Sequence, residues 1–127
     1  MIAVDTSALI AVLANETRGS RCAEKLRDNH LLISAATLTE ALIVGSRPEY
    51  RDRMKRFLDG LELEVVEVTE DFAQRAADAY RRWGKGFHPA RLNYGDSFSY
   101  ALAEMHDCPL LYVGNDFAQT DVISALG

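Results

Sequence analysis

Cysteine is scarce: Cys22 and Cys108 lie far apart, and neither has a second cysteine two or three residues away. That spacing excludes a disulfide framework and a zinc site, and both residues read as buried or half-buried thiols. Long apolar runs are missing as well; none approaches the ~20 residues that a membrane-spanning helix needs. The opening Met1-Ile2-Ala3-Val4-Asp5 has no basic leader and does not read as a signal peptide, so the expected location is the cytoplasm. Positive charge is not in excess. Fourteen Lys and Arg stand against 19 Asp and Glu, a net charge of −5. Broad electrostatic affinity for nucleic acid is therefore not expected, although a local basic patch is still allowed. The same balance suits a site that gathers carboxylates around cations. Internal repeats, low-complexity segments and linkers are absent.

What remains is an ordinary apolar complement, 48% of 127 residues, enough to bury a core in one domain spanning residues 1–127. Short uninterrupted apolar runs near Met1–Val4, Leu31–Ser34, Leu63–Val68 and Leu110–Val113 predict strands buried on both faces of a parallel sheet. Amphipathic stretches between them predict helices. Thr6 and Ser7 are placed to cap a helix over Ala8–Ala14, and a second helix covers Arg18–Asp28. Others are expected over Ala35–Gly45, from Pro48 to near Gly60, from Thr69 to Trp83, and from about Gly95 to His106. Strand–helix alternation of this kind predicts an α/β sandwich, a central parallel sheet flanked by helices on both sides. Right-handed crossovers then align the C-terminal ends of the strands along one edge.

Four acids fall at equivalent places on that edge. Asp5 follows the first strand, Glu40 lies just over one turn into the helix after the second, Asp96 opens the helix after a glycine-bearing loop, and Asp116 follows the last strand. Ligand sites of open parallel sheets form at such strand ends. Singly, each acid has an ordinary reading as a helix cap, a dipole partner or a solvated helix residue; their joint placement points to a site. Carboxylates gathered in one crevice repel each other unless protons or cations neutralise them. An all-oxygen donor set with no Cys or His suits Mg²⁺ or Mn²⁺, with a retained water available as nucleophile toward a phosphodiester.

At these residues the sequence resembles a known family. Val4-Asp5-Thr6-Ser7-Ala8-Leu9 is similar to the opening motif of VapC-type PIN-domain toxins. The segments Ile33–Ala41, Gly84–Ser97 and Leu110–Phe117 with Thr120-Asp121 are similar to the motifs that follow, in the family's order and over nearly the whole chain. The resemblance implies a PIN-like α/β/α sandwich and an Mg²⁺- or Mn²⁺-dependent endoribonuclease. It also implies a homodimer inhibited by a VapB-type antitoxin. Carried over by position, Asp5, Glu40 and Asp96 match the core acids and metal ligands. Asp116 matches the fourth, with Asp121 in reserve because related sequences often carry a second acid where Asn115 stands. Thr6 and Ser7 are candidates for the substrate side of the site, either bonding a ligand carboxylate or a metal-bound water or simply capping the helix.

Lys85 and Arg91, in a stretch with Arg81, Arg82 and His88 that leads into Asp96, are the candidates for holding RNA phosphates. The second basic cluster, Arg47 to Arg56, reads as a solvated surface. Tyr94, Phe98 and Tyr100 are placed to stack on bases, Phe98 more naturally as core. His88 and His106 read as structural. Trp83 and Tyr80 are expected to pack against the sheet or a dimer partner. An antitoxin groove is sought among Ala8, Leu9, Val12, Leu13, Leu42 and Ile43, most of which also suit the core. Two rival functions stand beside the toxin: a PIN nuclease of RNA processing, and a non-catalytic PIN-like binding module. A receiver domain is disfavoured because Asp5 stands alone after its strand and no lysine follows Lys85.

Overall fold

Side chains alternate across a strand, and this period builds two cores from one sheet. In β1 (Ile2–Val4), Ile2 and Val4 enter one cluster and Ala3 the other; in β2 (Leu31–Ser34), Leu31 and Ile33 divide from Leu32 in the same way. The structure, a computed structural model, describes residues 1–127. One face of the sheet is covered by α1 (Thr6–Leu13), α2 (Gly19–Asp28), α4 (Arg53–Asp59) and Ala41 of α3 (Ala35–Gly45). The other is covered by α5 (Glu70–Trp83) and α6 (Tyr94–Met105), through Phe72, Ala76, Phe98 and Leu102 among others. With β3 (Leu63–Val66) and β4 (Leu110–Leu111) the order is β3-β2-β1-β4, all parallel. This is the expected α/β/α arrangement, and it brings the ends of β1, β2 and β4 to a common edge. No helix is long and apolar enough to cross a membrane.

Several local expectations are corrected. Asp5, not Thr6 or Ser7, caps α1: its carboxylate accepts the Ser7 N–H, and Thr6 and Ser7 lie inside the helix. The helix expected from Pro48 begins only at Arg53. Residues 47–51 instead form a turn in which the N–H groups of Tyr50 and Arg51 both donate to the Arg47 carbonyl, and Arg51 adopts φ +45°, which helix cannot continue through. β3 ends at Val66 rather than Val68 and is not buried on both faces. It pairs only with β2, so it is an edge, and Glu64 and Val65 face solvent. β4 is reduced to two residues, but Leu110 also donates to the Ile123 carbonyl and accepts from Ala125, which lays the C-terminal segment along the sheet's other edge.

Cys22 is buried and Cys108 half-buried, both as free thiols pushed up in pKa chiefly by burial. Ala8 and Leu9 are fully buried and therefore belong to the core, not to an antitoxin groove. Leu42 and Ile43, at 40% and 66% exposure, remain on the surface.

Candidate active site

Asp5 sits where β1 turns into α1. Its N–H donates to the Leu111 carbonyl, the last ladder bond of the β1–β4 pair. Its side chain is almost fully buried, so its charge needs donors. It has three: Ser7 N–H at 3.1 Å and Ser7 Oγ at 2.7 Å on Oδ2, and Ser99 Oγ at 2.5 Å on Oδ1. Ser7 Oγ in turn accepts the Val113 N–H at 3.1 Å, tying the chain after β4 to the same carboxylate.

Glu40 arrives from α3. The Thr6 hydroxyl donates to its Oε1 at 2.6 Å. Its Oε2 lies against Gly95, where a Cβ would come within 2.6 Å of that oxygen. The glycine leaves the space that Glu40 occupies. Thr6 and Ser7 thus both donate their hydroxyl protons to carboxylates and orient these acids, one of the two roles expected of them.

Asp96 is the third residue of α6, in a reciprocal cap with Asn93. Asn93 Oδ1 accepts the Asp96 N–H at 2.8 Å, and Asp96 Oδ2 accepts the Asn93 N–H at 3.1 Å. Its pKa is nonetheless raised to about 7. Burial is the main cause; the bond from the Asn93 N–H works against it, and the negative charges of Asp5, Asp116 and Glu40 each add a smaller upward push. A field from all three other acids at one carboxyl shows that the fold brings the four into one neighbourhood. They stand apart within it, since no three close on a common point. Mutual repulsion favours that spread, and three of the four are turned toward hydroxyl or amide donors. Their all-oxygen chemistry, with no Cys or His among the four, fits a hard divalent cation.

Asp121, the reserve fourth acid, is placed elsewhere. It accepts the Tyr100 hydroxyl and lies 3.4 Å from Arg82 Nη2. Burial and the bond to Asp121 push the Tyr100 phenol up to about 12. The structure therefore groups Asp116, not Asp121, with Asp5, Glu40 and Asp96.

The basic stretch divides. Arg81 pairs with Asp78 at 2.5 Å, and Arg82 with Glu104 at 3.1 Å and with Asp121, its guanidinium lying over Trp83 and Tyr100. Lys85 and Arg91 are exposed, and neither forms an ion pair. They sit in a loop closed by the Lys85 N–H bond to the Leu92 carbonyl, immediately before the α6 cap. In the second cluster, Lys55 pairs with Asp59 and Arg53 donates to the Leu13 carbonyl. His88 is structural: Nδ1 accepts the Ala90 N–H, and the ring meets Trp83 edge-on at 4.7 Å. Trp83 packs on the sheet-side cluster as expected.

Of the three aromatic candidates, Phe98 and Tyr100 are buried, which removes Tyr100 from any stacking role. Tyr94 is 76% exposed two residues from Asp96. With Phe87, Tyr80 and Phe98 it lines a groove of about 650 Å³ between α5 and α6.

Sequence reasoning missed Ser34, Thr37, Gly95 and Ser99. Ser99 carried a signal: it lies three residues after Asp96, hence on the same helix face, and is a hydroxyl three and four residues before the apolar Leu102 and Ala103 of that face.

Comparison with known proteins gives the family and agrees with the fold. The family described as PIN domain matches residues 2–123. The VapC ribonuclease Mb2780c of Mycobacterium bovis is 41% identical over 124 residues, covering 94% of this chain and 95% of that protein. Ribonuclease VapC30 of Mycobacterium tuberculosis is 40% identical, covering 94% of each. Among solved structures, a toxin–antitoxin complex from Klebsiella pneumoniae matches with TM-score 0.76 at 18% identity, covering 100% of this chain and 98% of that one. Mycobacterium tuberculosis VapC20, a toxin described as cleaving the sarcin–ricin loop, matches with TM-score 0.74 at 18% identity and 98% coverage of both chains. The chain belongs to the PIN-domain family, among the VapC ribonucleases.

Proposed function

We propose that this protein is the toxin of a VapBC-type toxin–antitoxin pair, an Mg²⁺- or Mn²⁺-dependent endoribonuclease that hydrolyses RNA phosphodiester bonds. The observation that carries the reading is the linkage of three acids at one end of the sheet: Ser99 of α6 donates to Asp5, Thr6 beside Asp5 donates to Glu40, and Glu40 lies against Gly95, the neighbour of Asp96. The names of its relatives support the ribonuclease assignment, and the toxin–antitoxin complexes among its structural neighbours support a VapB-type antitoxin partner. In this reading Asp5, Glu40, Asp96 and Asp116 hold the cation. When bound, such a cation supplies an acidified water and neutralises charge on the phosphate oxygens.

The chain's own groups do the rest. Ser7 and Ser99 hold and orient the buried Asp5 carboxylate, and Thr6 fixes Glu40. Asp96 is held at the helix start by Asn93. Lys85 and Arg91 hold phosphates of the RNA, and the exposed ring of Tyr94 stacks on a base beside the scissile bond. We place the antitoxin against the surface bearing Leu42 and Ile43, and the working unit is a homodimer.

Arg91→Ala is expected to lower RNA cleavage about tenfold at low salt and to flatten its salt dependence, because one phosphate contact is lost. Folding should not change, since the side chain is exposed and unpaired. Cleavage measured across a salt series checks this; an unchanged rate and slope would remove Arg91 from the substrate path.

Induced expression in a bacterial host tests the toxin assignment. Growth should stop for wild type and continue for Glu40→Gln, and co-expression of the cognate antitoxin should restore growth. Wild-type expression that leaves growth untouched while the purified protein cuts RNA would favour a nuclease of RNA processing.

A further inference from the structure

Three buried hydroxyls join the acid-bearing elements from behind. Ser34 ends β2 and caps α3, accepting the Thr37 N–H on Oγ at 2.9 Å. Ser34 Oγ lies 3.1 Å from Thr37 Oγ1, which lies 3.3 Å from Ser99 Oγ, which lies 2.5 Å from Asp5 Oδ1. All four side chains are at most 4% exposed, so water does not compete for them. Each hydroxyl has one proton. Ser99 gives its proton to Asp5, so the Thr37 proton goes to Ser99 and the Ser34 proton to Thr37. The chain runs one way and ends on Asp5. Hydrogen bonds aligned head to tail polarise and strengthen one another.

Asp5 has about four lone-pair sites. Ser7 occupies two on Oδ2 and Ser99 one on Oδ1, so the open acceptor lies on Oδ1, beside Ser99. The same chain runs from the end of β2 through α3 and α6 to the β1–α1 junction, and so ties together the segments that carry Glu40, Asp96 and Asp5. We propose that the Ser34–Thr37–Ser99 relay is a positioning device: it fixes the plane of Asp5 and the spacing of the three acid-bearing elements, so that Asp5 offers one defined oxygen to a cation. Ser99 is its key positioning residue. This inference rests on the metal-dependent reading above.

The test is calorimetric titration of the purified protein with Mn²⁺ alone, alongside steady-state RNA cleavage and thermal melting. Ser99→Ala should weaken Mn²⁺ binding 10- to 100-fold, the range seen when partners that orient metal ligands are lost. It should lower kcat while leaving KM for RNA unchanged. Thr37→Val, nearly isosteric but without the hydroxyl, should move both quantities in the same direction by less, and Thr37→Ser should recover most of that loss. A folded Ser99→Ala protein with wild-type Mn²⁺ affinity and kcat overturns the relay. If Ser99→Ala does not fold, Thr37→Val and Thr37→Ser decide: equal Mn²⁺ affinity in the two overturns the relay. A folded wild type that takes up no Mn²⁺ overturns the metal-dependent reading itself, and the relay's proposed purpose with it.

Discussion

Asp96→Asn is expected to abolish cleavage and stabilise the protein at the same time. The folded protein holds the Asp96 proton to about pH 7, whereas a free carboxyl loses it near 3.8. The folded state therefore binds more protons across that window. The stabilising contribution is fully present below about 3.8 and is lost as pH rises through about 7. Three units correspond to about 4 kcal/mol; Asp96 is only part-buried, and solvent screening reduces this to about 1–2 kcal/mol. Asparagine imitates the neutral form and still offers an oxygen to the Asn93 N–H, so the cap survives.

Melting in the presence of EDTA should then show wild type and Asp96→Asn nearly equal near pH 4, and the variant more stable near pH 8. Added Mn²⁺ should raise the melting temperature of the wild type and leave that of the variant almost unmoved. Cleavage should fall by at least about 100-fold, because a group that neutralises and aligns the cation is gone. A variant less stable than wild type at pH 8 would contradict the crowding of charge around Asp96.

The second large effect is expected at Gly95. Alanine in the first turn of α6 is favourable for the helix by up to about 1 kcal/mol. Its Cβ, however, would fall within 2.6 Å of Glu40 Oε2. That oxygen is the far end of a flexible side chain, so the clash is relieved cheaply by moving Glu40 away from its bond with Thr6. Gly95→Ala should therefore keep or raise the melting temperature while kcat falls about 10- to 100-fold. Cleavage kinetics and melting on the same preparation separate the two effects. An unaltered kcat would mean that Glu40 acts from a position that does not need this approach.

These residues also show where sequence reading stops. The alternation in Ile2–Val4 and Leu31–Ser34 and the periodicity of α5 made the sheet and its layers legible, because burial on a regular element leaves a period in the sequence. Asp5 and Asp116 were legible as candidates for a related reason, since topology carries the ends of β1 and β4 to one edge; Glu40 and Asp96 lie within helices and were singled out by their positions near helix starts. Failures came where a local competitor won. Arg51 in a left-handed conformation delayed α4, although Pro48 is a good first helical residue. Asp5 took the capping role given to its neighbours. β3 was read as buried because its apolar content does not reveal that it lies at an edge. The Ser34–Thr37–Ser99 chain joins residues 62 positions apart across the Thr37–Ser99 link, and no spacing rule carries such a pairing. The division between Asp116 and Asp121 depended on Tyr100 and Arg82, which hold Asp121 elsewhere.

Cleavage of total RNA by purified wild type and by Asp5→Asn, each with Mg²⁺, Mn²⁺ or EDTA, tests the central claim most directly. Discrete fragments are expected from wild type with either metal, none with EDTA, and none from a folded Asp5→Asn protein. Equal cutting by the two proteins, or cutting that survives EDTA, would contradict a metal-dependent nuclease centred on Asp5.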